Sequence, residues 1–298
     1  MGDSTMAPRT LRPGQRAEVW IAEVAGGSSQ LVYATDTLLL EAPNWAPDGG
    51  GLLLNADGLL WRLELEPEAA LQLVPIDELP PINNDHVLDA KHGLIYLSAN
   101  DGHIYVAPVE GGTAKRITHD PSRYHFLHDV GPSATLAFVD IPRADLSVPG
   151  RLALISTAGG ETHYPEAGSS HLDGPEYSPD GAWLYFNTEE FASHPGHAQL
   201  ARMPSEGGPI ERLVESESVD WFPHLSPDGE LASYISFPSG TLGHPADLDV
   251  EVRVIRTTNW RDIVWQFALF GGQGTINVNS WSPDSRRFAF VAYPLQSA

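Results

Sequence analysis

Cysteine is missing from all 298 residues, which excludes disulfides and thiolate metal ligands. Lysine occurs only at Lys91 and Lys115, and 17 basic residues face 39 acidic ones, for a formal net charge of −22. Such a surface repels phosphate backbones and anionic lipid, which argues against nucleic acid and membranes as partners. No apolar run reaches the roughly 18 residues needed to span a bilayer. Residues 1–16 contain no apolar stretch that could form the core of a signal peptide. The chain therefore reads as cytoplasmic, and as periplasmic only if a leader has been removed.

Glycine (28) and proline (25) are plentiful, which suits many short turns, and 42% of the residues are hydrophobic. An x-Pro-Asp-Gly turn recurs at Ala46–Gly49, Ser178–Gly181 and Ser226–Gly229, with Ser285 replacing glycine at Ser282–Ser285. In these turns proline sets φ, aspartate hydrogen-bonds the following backbone and glycine accepts positive φ. An apolar or aromatic residue precedes each turn (Trp45, Tyr177, Leu225, Trp281), and a strand-like apolar run follows it. Ala46 and Ser178 are three steps of 44 apart, and degraded copies lie where that spacing puts them, at His86–Gly93 and His128–Ser133. Six repeats of about 40–50 residues, each with short alternating strands, describe a β-propeller with six blades.

The sixth copy has room for one strand after its turn. Glu18–Val24 and Gln30–Tyr33, joined through Gly26 and Gly27, supply the missing pair. The fold expected is all-β: a six-bladed propeller whose N- and C-terminal strands share the last blade, so that no split edge is exposed. Residues 17–298 form this single domain, behind a flexible N-terminal segment over 1–16.

These repeats resemble the TolB-type, WD40-like propeller repeat over nearly the whole chain from about residue 17. Asn83–Val87, His171–Gly181, Trp221–Gly229 and Gly243–Asp247 resemble a group of small bacterial TolB-like proteins. The N-terminal α/β domain and periplasmic signal of TolB itself are not expected of these residues. Oligogalacturonate lyases are similar in their propeller repeats, and that resemblance implies a metal held by histidine at the ring centre.

Aligned on their turns, the six copies place Asn44, His86, His128, Glu176, His224 and Ser280 at one equivalent position, facing the axis. Three imidazoles and a carboxylate are suitable ligands for a divalent cation. His86, His128, His224 and Glu176 are thus the candidate metal set, for Mn, Zn or Fe. Calcium ranks below these because it prefers oxygen ligands. All histidines except His92 and His163 fall at channel or same-face loop positions. Two long loops on that face, over 188–197 and 237–249, have the length of functional loops. Glu176, His171 and His244 are the candidate catalytic residues. Asn44, His125, Asp173, Glu189, His194, His197, Trp221 and Asp247 are candidate substrate contacts, with Glu190 and Asp249 as further polar candidates. Hydrogen bonding to neighbours is the competing reading of each channel histidine, and loop packing that of His194, His197 and His244. Asp48, Asp180, Asp228 and Asp284 are turn formers.

The functional expectation is a metal-dependent lyase or hydrolase acting on a small carbohydrate-like substrate. The alternative is a non-catalytic module that binds a peptide or protein at the channel mouth, as the C-terminal domain of TolB does.

Overall fold

A computed structural model describes residues 8–65 and 68–295. The N-terminal segment expected over 1–16 therefore falls partly, at 1–7, outside the described residues. All the regular elements among the described residues are strands, arranged as a six-bladed β-propeller. Contacts divide the chain into two compact units. One runs to Leu127 and resumes at Gly274, and the other is His128–Gln273.

In the first unit, Ala17–Glu23 lies between Ser28–Thr35 and Arg287–Ala292 in one sheet. Glu18 pairs with Ala292 and Glu23 with Arg287, antiparallel. The two ends of the chain thus complete one blade, and the sixth repeat's inner segment joins through a bridge between Trp281 and Phe288. Gln15 extends the closure by donating to the Tyr293 carbonyl at 3.1 Å, and the Tyr293 hydroxyl donates to the Leu40 carbonyl at 2.9 Å. Val19, Val291, Trp45, Leu52 and Leu54 pack beneath as a shared core. The same unit holds the four-stranded sheet Glu41–Trp45, Gly51–Ala56, Leu59–Glu64 and Ala70–Leu73. It also holds Ile82–Asp89, Leu94–Ala99, Ile104–Pro108 and Lys115–Arg116.

A three-stranded sheet follows, of Arg123–Gly131, Thr135–Pro142 and Arg151–Ser156. The second unit then supplies two four-stranded sheets. One is Leu172–Tyr177, Trp183–Thr188, Gln199–Pro204 and Glu211–Arg212. The other is Val219–Leu225, Leu231–Phe237, Ala246–Arg256 and Asn259–Gly272. Tyr185, Leu225, Tyr234, Ile255 and Trp260 form the core between these two.

The turns are built as their residues dictate. Ser178 Oγ donates to Asp180 Oδ1 at 2.6 Å and accepts from Trp183 N at 2.9 Å, while Asp180 accepts from Ala182 N. Ser226 with Asp228, and Ser282 with Asp284, repeat the pattern.

Three inner strands carry a second repeated device. Ala42, Gly174 and Phe222 have φ of 52°, 63° and 56°, each immediately before a proline. Pairing registers shift there, between Glu41 and Asn44, Asp173 and Glu176, and Trp221 and His224. Each is a bulge of two residues opposite one, the second of them proline, which has no N–H to strand, while the N–H of the first finds an acceptor elsewhere. These bulges aim the ring-position side chains Asn44, Glu176 and His224.

Candidate functional site

The second unit gathers a polar cluster on its inner strands. Asp173 sits at the bulge of Leu172–Tyr177, and its Oδ1 lies 2.7 Å from His128 Nε2. Its other oxygen, Oδ2, lies 3.6 Å from Nε2 of His244, which comes from the loop before Ala246–Arg256. Burial alone would raise the Asp173 carboxyl, but His128, and then His244 and His171, hold it well below the usual carboxylate range. His244 is pushed the other way: burial lowers it below the ordinary histidine value, against the opposing pull of Asp173 and Gln273. At neutral pH its imidazole is therefore neutral, with Nδ1 paired to Gln273 Oε1.

His171 accepts a hydrogen bond at Nδ1 from Gly150 N at 3.0 Å. Its proton then resides on Nε2, which makes that nitrogen a donor. Aromatic rings bind these groups together. Trp221 lies 4.5 Å from the His244 ring and 5.9 Å from the His171 ring. Phe222 stands edge-on to His244 at 5.0 Å and stacks near His128 at 6.1 Å.

Beside this cluster lies a second pair. Glu176 Oε2 is 2.6 Å from His224 Nδ1, and Glu176 Oε1 accepts from Leu225 N at 2.7 Å. Asp129, a residue the sequence did not single out, is half-buried next to it. Burial first, and then the Glu176 charge, raise Asp129 to about 7, while it accepts from Tyr177 N and Val130 N.

Five sequence candidates (His128, His171, Asp173, Trp221 and His244) thus meet in one cluster, with His224 and Glu176 adjoining. The others have different roles. Glu189 accepts from Gly196 N, and Glu190 from Ser169 N and Ser170 N, so both staple loops. His194 and His197 stack at 4.7 Å around Ser193, and His197 Nε2 reaches the Ser216 carbonyl, a loop-packing arrangement. Asp247 occupies a left-handed φ of 63° at a register shift. In the first unit, Asn44 Nδ2 donates to the Asn279 carbonyl at 2.7 Å. His125 Nδ1 lies 2.6 Å from the Gly102 carbonyl, and its ring stacks on His103. His86 is wholly buried with no hydrogen-bond partner at either ring nitrogen among the described residues, and burial lowers it to about 4.

The four-residue metal set fits this arrangement poorly. Both Glu176 oxygens are engaged as acceptors, which makes Glu176 the orienting partner of His224 and not a ligand facing outward. Among the described residues, no group of three or more His, Asp or Glu side chains is placed to hold a metal ion. Equally, no described helix is long and apolar enough to cross a membrane.

Two residues escaped the sequence reading. Besides Asp129, Asn187 accepts from Phe222 N at 3.1 Å and pairs across the sheet with Asp173. The signal for Asn187 was its equivalence to Asn55, which pairs across its own sheet with Glu41.

These features define a TolB-like six-bladed β-propeller with a histidine–carboxylate cluster on its inner strands. No family model matches the chain. It is 36% identical to the uncharacterized protein Atu1656 of Agrobacterium fabrum over 98% of this chain and 99% of that one, and it belongs to the same family. It is also similar to a solved structure assigned to TolB from Agrobacterium tumefaciens, with a TM-score of 0.84, 33% identity, and coverage of 94% of this chain and 99% of that chain. An oligogalacturonate lyase in complex with manganese shares the fold at a TM-score of 0.51 and 12% identity, over 82% of this chain and 70% of that chain.

Proposed function

We propose that the second unit carries a small-molecule site for a carbohydrate-like substrate, worked by acid–base chemistry of the lyase or hydrolase type. The observation that carries this reading is the Asp173 carboxylate set among His128, His244 and His171 against the Trp221 ring. A neutral His244, its proton on Nδ1 toward Gln273 Oε1, offers its bare Nε2 as a competent general base. His171, protonated at Nε2, would hydrogen-bond the oxygen on which charge develops. Trp221 offers a flat apolar wall of the kind on which sugar rings lie. Glu176 holds His224 in position and takes no proton from substrate.

A second reading, a non-catalytic binding module, draws support from the 33% identity to a protein assigned to TolB. One assay separates the two. Reducing-end release and ultraviolet absorbance of unsaturated products are followed on neutral and uronic oligosaccharides. Wild type is compared with Asp173→Asn and His244→Ala, each with added Mn, Zn or Fe and after chelation. Turnover that falls about 100-fold or more in both variants supports acid–base catalysis. Undiminished turnover in His244→Ala overturns it, and binding without turnover by wild type favours the module. Turnover abolished by chelation and restored by Mn, Zn or Fe would bring back the divalent cation expected from the sequence. Cell fractionation decides between the cytoplasm, where we place the protein, and the periplasm.

A further inference from the structure

Two buried N–H donors in the second unit have no acceptor among the described residues: Trp221 Nε1 and Asn187 Nδ2. Trp221 is 1% exposed and Asn187 0%. Leaving a buried donor unmade costs about 1–3 kcal/mol each, so native proteins rarely keep two side by side without a purpose. They belong to one neighbourhood. Asn187 Oδ1 is tied to the backbone N–H of Phe222, the residue after Trp221, and Asn187 pairs with Asp173 across the sheet. The other half of the Asn187 amide is therefore the half left over.

Both donors are closed off from solvent, and what lies over the Trp221 ring is identifiable. The His244 ring lies 4.5 Å from the Trp221 ring and belongs to the loop between Leu231–Phe237 and Ala246–Arg256. Gly240 and Gly243 in that loop have φ of 81° and 64° and open space around them, whereas Leu242 at the tip is 70% exposed. The loop is attached through His244, through Leu242 against Gly196, and through the Pro245 carbonyl, which accepts from Gln273 N at 3.2 Å. Glycines with room to turn are what a hinge needs.

We infer that the loop carrying His244 swings aside to admit a ligand and then returns His244 to it, that Trp221 Nε1 and Asn187 Nδ2 donate to the ligand's oxygens, and that these are neutral hydroxyl or carbonyl oxygens. A carboxylate is disfavoured because Asp173, which pairs across the sheet with Asn187, already brings a negative charge to the site, within a chain of net charge −22. This rests on the small-molecule reading above and names its ligand class and two of its contacts.

The test is binding and not turnover, so it can fail independently of catalysis. Calorimetric titration of the full chain uses galactose, glucose and glycerol as neutral probes and galacturonate as the charged one. Trp221→Phe keeps a ring and removes the donor. Asn187→Asp keeps the acceptor for Phe222 N and removes the donor. Circular dichroism melting confirms that both variants fold. At least one neutral probe should bind wild type more tightly than galacturonate does, and each variant should weaken that binding about tenfold, the worth of one hydrogen bond. Equal affinity in wild type and both variants overturns the assignment of the donors while leaving the site itself intact. Tighter binding of galacturonate overturns the ligand class. Binding of no probe overturns the inference as a whole. Gly243→Ala, which narrows the backbone freedom of the loop at a φ that alanine can still adopt, should slow association without abolishing it; unchanged rates would remove the loop from the account.

Discussion

Glu176 Oε2 lies 2.6 Å from His224 Nδ1, with side chains only 4% and 2% exposed. These two occupy equivalent positions in successive blades, so the ring alignment predicted two ligands side by side and the structure shows a bonded pair. Removing the carboxylate leaves a buried imidazole and the Leu225 N–H without their acceptor. Glu176→Ala should therefore destabilise by about 3–5 kcal/mol, and Glu176→Gln, which keeps one acceptor, by about 1–3 kcal/mol. Urea denaturation measures both. Losses within about 0.5 kcal/mol of zero would show that the pair contributes little and that Glu176 serves another purpose.

Closure of the ring through the termini gives a second test. Val19 is fully buried against Val291 in a core that Trp45 and Leu52 share. Val19→Asp would bury a charge there with no partner supplied. Calorimetry should show a melting temperature lowered by at least 10 °C or no cooperative transition, in line with the several kcal/mol such burial costs. Thr37→Asp, on the exposed turn beyond Ser28–Thr35, should melt like wild type. If both variants behave alike, the closing blade is not where stability resides.

The blades were legible because their signals are local. Ser178, Asp180 and Gly181 make their own turn within a few residues, and the same chemistry recurs at 226 and 282. Closure was legible from counting, since a repeat short of strands at one end matched a surplus at the other. The site was only partly legible. Equivalence of position located His128, Glu176 and His224 on inner strands, yet it says nothing about hydrogen bonds, and Glu176 turned toward the neighbouring blade's His224. Asp129 carries no motif, and Asn187 only its equivalence to Asn55. Their roles come from backbone groups 48 and 35 residues away. Pro43, Pro175 and Pro223, each following a left-handed residue and preceding a ring position, were an overlooked sign that the inner strands bulge there.

His86 links the ring to pH. Burial depresses its folded value to about 4, whereas in the unfolded chain it titrates near 6.5. Between those values the unfolded state binds the extra proton. His86 therefore favours the folded state fully above about 6.5, and this contribution is lost as pH falls toward 4. The total is about 3 kcal/mol at most, at 1.36 kcal/mol per pH unit. His86→Leu should remove this acid sensitivity, so its stability relative to wild type should improve between pH 7 and pH 4.5. Chemical denaturation at the two pH values measures the difference. Parallel losses in both proteins would mean that His86 is not the titrating group.

Gly174 offers a comparison with an internal control. Its φ of +63° is one that side-chain-bearing residues avoid, and a Cβ there would stand 2.9 Å from Phe222 Cδ1 and 3.2 Å from Asn187 Oδ1. Gly49 has a similar φ of +72° with nothing within 4 Å of its added Cβ. Gly49→Ala should cost only the conformational penalty, about 1–2 kcal/mol. Gly174→Ala adds a clash that cannot relax without moving Phe222, itself strained at φ 56° and packed among His128, His224 and His244. Its cost should exceed that of Gly49→Ala by about 1–3 kcal/mol, the range for overpacking a dense core. It should also reduce ligand binding, because Phe222 N–H holds the Asn187 amide in place. Paired denaturation curves test the first expectation and titration with the tightest neutral probe the second. Equal costs for the two alanines would show that the bulge at Gly174 yields freely, and that Phe222 and Asn187 are not positioned through it.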